Sequence, residues 1–195
     1  FNAIILNNPA DSGSFIPTST KGYSFGKSNP CFNIALDDSQ YYSNIYSILD
    51  AYKALLPRIK LGNPNYLEPL IRHYIKQIKE EDNVFYYHIL LILTNGHIKD
   101  MADTVSAIVE ASNLPISIVM IGIGNDEFKK LIYLDSDNDL LRDNKGNVSS
   151  RDIVQFVPLN EFKNDKEVLA QKVLEEIPLQ IIQFYDKNDI SPDNM

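Results

Sequence analysis

The pattern of apolar positions predicts an α/β domain whose central element is the run Phe85–Leu93. Only His88 interrupts this run, and we interpret it as a packed core residue. A run without alternation is typical of a strand buried on both faces of a parallel sheet. Thr94–Gly96 ends the run in a turn, and Asp100 follows where a helix would be capped. Ligands of open α/β sheets bind at such strand ends, so this turn is the first candidate site.

Short apolar runs and apolar residues at helical spacing predict the other strands and helices. We expect strands at Phe1–Leu6, Gly22–Phe25, Leu114–Ile121 and Ile153–Val157. The second is predicted to pair with the first, and residues 26–38 are expected to be irregular, with room for a short strand at Phe32–Leu36. Helices are predicted over residues 39–56, 67–78, 101–112, 126–131 and 165–185, the first capped by Asp38 or Ser39 and the last kinked by Pro178.

Strands that alternate with helices indicate βαβ units. The predicted fold is therefore a mainly parallel sheet with helices on both faces, and Pro158 suggests that the last strand lies at an edge. We predict that residues 1–195 form a single domain.

Composition narrows the function classes. The chain is 44% hydrophobic, which excludes a disordered protein, and its net charge of −8 argues against a nucleic-acid-binding surface and against simple electrostatic attachment to anionic lipid. Cys31 is the single cysteine, so no intrachain disulfide can form, which fits a reducing compartment. Phe1 begins an apolar run without a basic region, so we predict no signal peptide there.

Two motifs suggest ligands but lack key residues. The Gly122–Gly124 turn between a strand and a helix invites a dinucleotide-binding interpretation, yet Glu127 replaces the third glycine, and a tight turn is favoured. Asp135–Asp139 resembles the start of a calcium loop. Leu140 and Gly146, however, occupy the positions that require glycine and a bidentate glutamate. We interpret that segment as a solvated acidic loop.

Asn65 and Asn95 form a more interesting pair. Both stand in turns that open onto helices, and both carry an oxygen that a hard cation accepts. Ordinary roles also explain them, because Glu68 gives Asn65 capping-box spacing and Asn95 precedes a turn glycine. The histidines and the cysteine show no metal-ligand spacing.

Four segments resemble the copine family: LLILTNGHIKDM at 90–101, AIVEASNLPISIVMIGIGNDEF at 107–128, RDIVQFVPLNEF at 151–162 and VLEEIPLQIIQFY at 173–185. The resemblance runs from Phe1 to about Tyr185. It implies the copine carboxyl-terminal module, which is similar to the von Willebrand factor A domain, a three-layer Rossmann-like α/β fold. Full-length members also carry two calcium-dependent phospholipid-binding modules, and this sequence contains neither.

The resemblance implies a metal site that is degenerate here. A domains hold a divalent metal with an Asp-x-Ser-x-Ser loop, a threonine loop and an aspartate loop. Where copines usually have Thr-Asp-Gly this chain has Thr94–Gly96 with asparagine in the middle, and where they have Gly-Pro-Thr it has Asn63-Pro64-Asn65. Replacing a carboxylate by an amide removes an attraction of roughly 4 kcal/mol at about 4 Å and intermediate dielectric. We therefore expect weak magnesium or manganese binding, or none.

The Asp-x-Ser-x-Ser loop lies on the first central strand of the fold, which the resemblance places between Phe1–Leu6 and Phe85–Leu93 and which is absent from this sequence. Two buried edges without it would leave backbone groups unpaired at about 1–3 kcal/mol each. We accordingly expect the natural chain to extend upstream of Phe1.

The resemblance finally implies a protein-interaction module, not an enzyme. It belongs to a cytosolic protein that acts in signalling and membrane trafficking, and that calcium recruits peripherally to membrane phospholipid through modules outside this chain. The domain itself is expected to require no cofactor and to bind target proteins, not nucleic acid. Its predicted binding face is the turn cluster at the strand ends: Asn63, Asn65, Asn95, His97 and Asn125.

Two alternatives remain open at this point. One is an α/β enzyme that binds a nucleotide or phosphate near Gly122–Gly124. The other is an extracellular adhesion domain, against which the single cysteine weighs.

Overall fold

The computed structural model describes residues 16–17, 19–24, 27–34, 41–42, 44–58, 66–81, 86–135, 139–162 and 165–191. Within these ranges the strands are β1 (Ile16–Pro17), β2 (Ser19–Ser24), β3 (Lys27–Asn33), β4 (Tyr41–Tyr42), β5 (His88–Thr94), β6 (Ile116–Gly122) and β7 (Val154–Pro158). The helices are α1 (Ile45–Leu55), α2 (Glu68–Glu81), α3 (Met101–Ala111), α4 (Lys129–Leu134), α5 (Lys166–Leu174) and α6 (Ile177–Lys187), with 3-10 turns at Leu56–Arg58 and Leu159–Phe162.

Strands β5, β6 and β7 form a parallel sheet in that order. The register aligns Thr94 with Gly122 and Gly122 with Pro158, so the three strands end level with one another. Strand β7 lies at an edge of the described sheet, which confirms the inference from Pro158. The α/β class and the parallel sheet are thus as predicted. The predicted strand Phe1–Leu6 lies outside the described residues, as does its predicted pairing.

Helices cover both faces of this sheet. One face carries α2, α3 and α4, whose apolar side chains form a single core with alternate residues of all three strands, among them Leu90, Ile118 and Phe156. On the other face, α6 packs against β6 and α5 against β7. The unalternating run of β6 is buried on nearly every residue, whereas β5 alternates between buried and half-buried positions. Burial on both faces was therefore the right interpretation for β6 and only half right for β5.

The amino-terminal part differs from its prediction. Strand β2 pairs with β3 in antiparallel orientation, and Ile16–Pro17 pairs with Tyr41–Tyr42 in the same way. The predicted irregular segment 26–38 is thus a strand over its first half, although Pro30 and Asn29 disfavour that assignment in the sequence. Its partner β2 begins three residues before the predicted Gly22–Phe25.

Three helices also begin or end away from their predicted positions. Helix α1 starts at Ile45, because Asn44 caps it by accepting a hydrogen bond from the amide of Ser47 at 3.0 Å, so Asp38 and Ser39 are not its caps. Helix α4 starts at Lys129, three residues later than predicted. The single helix 165–185 is two helices, since Pro178 occupies the first turn of α6 and does not kink a continuous helix.

Helix α5 is also less buried than its pattern suggests. None of its residues is fully buried, and Val168 and Leu174 are 39% and 55% exposed. In α6 the buried residues are Ile177, Gln180 and Phe184, whereas Ile182, which the helical spacing places on the inward face, is 54% exposed.

Candidate functional site

The turn after β5 is stabilised by its own side chains. The Thr94 hydroxyl is buried and accepts a hydrogen bond from the Gly96 amide at 3.1 Å, while the Asn95 side-chain oxygen accepts one from the His97 amide at 3.3 Å. These short-range bonds are the ones that threonine and asparagine make in turns. The Asn95 side chain nevertheless lies exposed at the surface. The turn thus presents an amide to solvent and keeps the threonine hydroxyl inside.

Gly96 fits this turn for two reasons. Its φ of +82° lies in the region that favours glycine, and a Cβ added there would stand 2.7 Å from Cδ1 of Phe128. Phe128 itself has a φ of 49° and is buried against Phe156, with ring centroids 5.5 Å apart. The turn after β5 therefore packs directly on the residue that precedes α4.

A small cavity opens beside this contact. Its volume is about 170 Å³, and its lining includes Gly96, His97, Asp126 and Phe128. The exposed ring of His97 lies with Nε2 3.5 Å from a carboxylate oxygen of Asp126. This volume is of the order of one side chain, so the cavity can accept an anchoring group but not an extended cofactor.

Asn160 is a member of the site that the sequence analysis missed. Its side-chain amide donates hydrogen bonds to the Gly124 carbonyl and to the Asn125 side-chain oxygen. Asn160 follows the end of β7, and Asn125 follows the end of β6. The rule that parallel strand ends converge could have found it, because Asn160 comes two residues after Pro158, which is level with Gly122.

Asp100 has a different role from the expected one. It stands at the N-cap position of α3, but its side chain makes no capping bond there. Its carboxylate instead accepts hydrogen bonds from the amides of Leu67, at 2.9 and 3.0 Å to the two oxygens, and Glu68, at 2.8 Å. It therefore caps α2 and joins two segments that are 33 residues apart in the chain.

The structure brings three of the five predicted face residues to one edge of the sheet. Asn95, His97 and Asn125 are all exposed at the carboxyl ends of β5 and β6. Asn63 and Asn65 lie outside the described residues.

The glycines at and just beyond the end of β6 have packing and backbone roles. A Cβ on Gly122 would stand 2.9 Å from Phe156 and 3.0 Å from Phe128, so this glycine makes room for the two rings. Gly124 has a φ of +117° and open space around it. Helix α4 begins only at Lys129 and is six residues long. These features favour the tight-turn interpretation.

The donor set near the turn is poor for a hard cation. Both carboxylate oxygens of Asp100 already accept backbone hydrogen bonds, and the Thr94 hydroxyl is buried. Across the described ranges, no group of three or more histidine, cysteine, aspartate or glutamate side chains is arranged to hold a metal ion. Magnesium requires several oxygen ligands in near-octahedral geometry.

The opposite end of the sheet holds a buried cation. Arg151 is 5% exposed and donates to the carbonyls of Leu114 and Ile116, at 2.8 and 2.7 Å, and to the Tyr87 hydroxyl at 3.1 Å. Its guanidinium also lies 5.5 Å from the Phe184 ring centroid. Burial lowers the pKa of Arg151, and the hydrogen bond to Tyr87 acts in the opposite direction. This arrangement closes the amino ends of the strands.

Comparison with known proteins decides the family. The copine family model matches residues 20–193. This chain belongs to the copine family. Copine-C of Dictyostelium discoideum is 35% identical over 186 residues, which make up 93% of this chain and 34% of that protein. This copine chain thus spans about a third of the length of the curated relative it matches. In the part that the structure describes, no helix is long and apolar enough to span a membrane.

Proposed function

We propose that this copine module is a protein-interaction domain whose target-binding face lies at the carboxyl ends of β5, β6 and β7. The observation that carries the proposal is the group of exposed polar side chains held there by an ordered framework. Asn95, His97 and Asn125 are exposed, while Gly96, Phe128 and Asn160 hold the turns that carry them. Exposed residues on loops positioned by a rigid sheet are the usual basis of recognition.

The chemistry of this face suits a polar partner surface. Amide side chains donate and accept hydrogen bonds, and the His97–Asp126 pair adds one ionisable group and one carboxylate next to a cavity of side-chain size. Asn63 and Asn65 lie outside the described residues and are included in the proposed face on the sequence prediction alone.

We further propose that docking on this face does not depend on a metal. Asn95 supplies no charge, and the nearby Asp100 carboxylate is engaged by two backbone amides. A divalent ion would therefore gain little of the electrostatic attraction that a carboxylate ligand provides. The module requires no cofactor of its own in this proposal, and magnesium or manganese binds weakly at most.

The wider role follows from the family resemblance. Copines act in the cytoplasm and reach membranes when calcium engages their phospholipid-binding modules, which lie outside this chain. This module would then bring target proteins to the membrane, without enzymatic activity and without binding nucleic acid. The nucleotide- or phosphate-binding alternative near Gly122–Gly124 gains no support from the packing of those glycines.

A capture experiment with matched variants tests the face. The bait is the chain itself, and the test variant is Asn95→Ala with His97→Ala and Asn125→Ala. The control carries three exposed substitutions away from the strand ends: Lys145→Ala, Asp139→Ala and Glu167→Ala. Proteins retained by the unmodified chain and the control, but lost with the test variant, support the proposal. Identical capture by all three baits contradicts it.

A further inference from the structure

Asn95 and Gly96 form a dipeptide that can react with itself. Asn-Gly occurs once in the sequence, in the turn that follows β5. When a backbone nitrogen attacks the side-chain carbonyl carbon of the asparagine before it, a five-membered ring closes and ammonia leaves. Glycine hinders this attack least, because it carries no Cβ beside the attacking nitrogen. The turn therefore contains both reactants of a side-chain deamidation.

The fold itself requires glycine at position 96. The φ of Gly96 is +82°, and a Cβ there would stand 2.7 Å from Cδ1 of Phe128. Both the backbone conformation and the packing thus disfavour any other residue. The reactive dipeptide is a consequence of the way in which this turn packs on Phe128.

The side chain of Asn95 is exposed and folds back along the main chain. Its Oδ1 accepts a hydrogen bond at 3.3 Å from the amide of His97, two residues further on. Cγ of Asn95 and the nitrogen of Gly96 are therefore members of one small hydrogen-bonded ring. The His97 amide also donates to the oxygen on which negative charge develops when Cγ is attacked, and such donors stabilise an oxyanion.

A contact between Thr94 and Gly96 opposes the reaction. Gly96 is buried, and its N–H donates to the Thr94 hydroxyl at 3.1 Å. The nitrogen must lose this proton before it can attack, so the turn has to release the bond first. A hydrogen bond of ordinary net strength slows such a step by about fivefold and does not prevent it.

We infer that Asn95 is a self-modification site: the nitrogen of Gly96 displaces ammonia from its side chain, and water then opens the ring to leave a carboxylate at the end of β5. In the first step the Gly96 N–H proton passes to a base of the solvent and the N–Cγ bond forms. The Cγ–Nδ2 bond breaks as Nδ2 takes up a proton and leaves as ammonia. Water then opens the cyclic imide at either carbonyl, which yields aspartate or isoaspartate. The net reaction consumes one water and releases one ammonia.

The product changes the chemistry of the exposed turn. It adds a negative charge to a chain whose net charge is already −8. The isoaspartate form also routes the main chain through the side-chain carbons and so lengthens the turn. This inference does not depend on the proposed docking function, because no partner takes part in the reaction.

Peptide mass spectrometry of the folded chain, after incubation at mildly alkaline pH, tests the reaction. Digestion at acidic pH stops it, because the attacking nitrogen then keeps its proton. Asn113 and Asn147, which are exposed and followed by leucine and valine, are internal controls. We expect Asn95 to lose its amide at least about tenfold faster than either control, which corresponds to about 1.4 kcal/mol in the barrier. Electron-based fragmentation should find both aspartate and isoaspartate at position 95.

A second measurement, with Gly96→Ala, identifies the attacking nitrogen. The added Cβ hinders the attack, so the rate at Asn95 should fall by at least about fivefold. The same substitution loosens the turn, and loosening alone would raise the rate, so the two effects have opposite signs. Gly146→Ala is the matched control, because Gly146 also has a positive φ but open space around it, and it should leave the rate at Asn95 unchanged.

Three results would overturn the inference. The first is a rate at Asn95 no higher than at Asn113 and Asn147. The second is aspartate as the sole product, because direct attack of water on the side-chain amide forms no isoaspartate. The third is a rate in Gly96→Ala that equals or exceeds that of the parent. Circular dichroism at the incubation temperature verifies that each variant is folded.

Discussion

The two ends of the parallel sheet differ in how they treat polar groups. At the amino ends, Arg151, Tyr87 and Ser117 direct their polar atoms at one another and at nearby carbonyls, inside a closed cluster. At the carboxyl ends, the side chains of Asn95 and His97 are exposed. The same strands therefore carry buried polar groups that stabilise the fold at one end and exposed polar side chains at the other. Substitutions at the two ends should separate stability from binding.

The largest expected effect on stability is at the amino ends of the strands, in the cluster around Arg151. Arg151→Met keeps much of the side-chain length but removes the guanidinium that donates to the Leu114, Ile116 and Gln180 carbonyls and to the Tyr87 hydroxyl. The loss of several buried charge-assisted hydrogen bonds, at about 1–3 kcal/mol each, predicts a loss of about 3–5 kcal/mol in the free energy of unfolding. Urea denaturation measures this.

The matched control for Arg151 is Arg142→Met. Arg142 also donates to a backbone carbonyl, that of Gly146 at 3.0 Å, but its side chain is exposed. The control should cost less than about 0.5 kcal/mol. Equal losses in the two variants would show that the amino-end cluster is not a special source of stability.

The amino ends of the strands should also make the folding stability sensitive to acid, through His88. His88 is 1% exposed, and burial lowers its pKa to about 4. The Glu81 carboxylate 3.5 Å from its Nε2 does not reverse this, since burial raises the pKa of Glu81 too. The unfolded histidine titrates near 6.5, so the unfolded chain binds the proton first as the pH falls. Stability is then complete above about pH 6.5 and declines by up to about 3 kcal/mol toward pH 4.

A variant of the buried histidine tests this assignment. Urea midpoints measured between pH 7 and pH 4.5 should depend less on pH in His88→Leu than in the parent. A profile in His88→Leu as steep as that of the parent would show that the acid sensitivity arises elsewhere.

A smaller effect is expected where the turn after β5 packs tightly on Phe128. Gly96→Ala combines an unfavourable positive φ with a Cβ 2.7 Å from the Phe128 ring, which predicts a loss of about 2–3 kcal/mol. Gly146→Ala is the control: its φ is +86°, but nothing lies within 4 Å of the added Cβ, so only about 1–2 kcal/mol is expected. Equal thermal shifts in the two variants would contradict the packing of the turn on Phe128.

The sequence predicted local elements well and long-range contacts poorly. The apolar runs located β5, β6 and β7 to within a few residues, because burial leaves a direct record in residue type. The β2–β3 hairpin was missed, since Pro30 and Asn29 lower its strand propensity and the pairing that overrides this is not local.

In the candidate site, too, local features could be predicted and long-range contacts could not. The turn residues Asn95 and Gly96 could be recognised from their chemistry alone, and the copine resemblance supplied the comparison that made Asn95 notable. Asp100 could not be assigned correctly, because an aspartate at an N-cap position looks like a local cap. Its bonds to Leu67 and Glu68 depend on how two distant segments pack.

Metal-independent docking at the carboxyl ends of the strands can be tested by capture with the parent chain, with the Asn95, His97 and Asn125 alanine variant alongside, in millimolar magnesium chloride and in excess EDTA. We expect proteins whose retention requires these side chains to be retained equally in both buffers and lost with the variant in both. Retention that disappears in EDTA, or that persists with the variant, would show that the proposal is wrong.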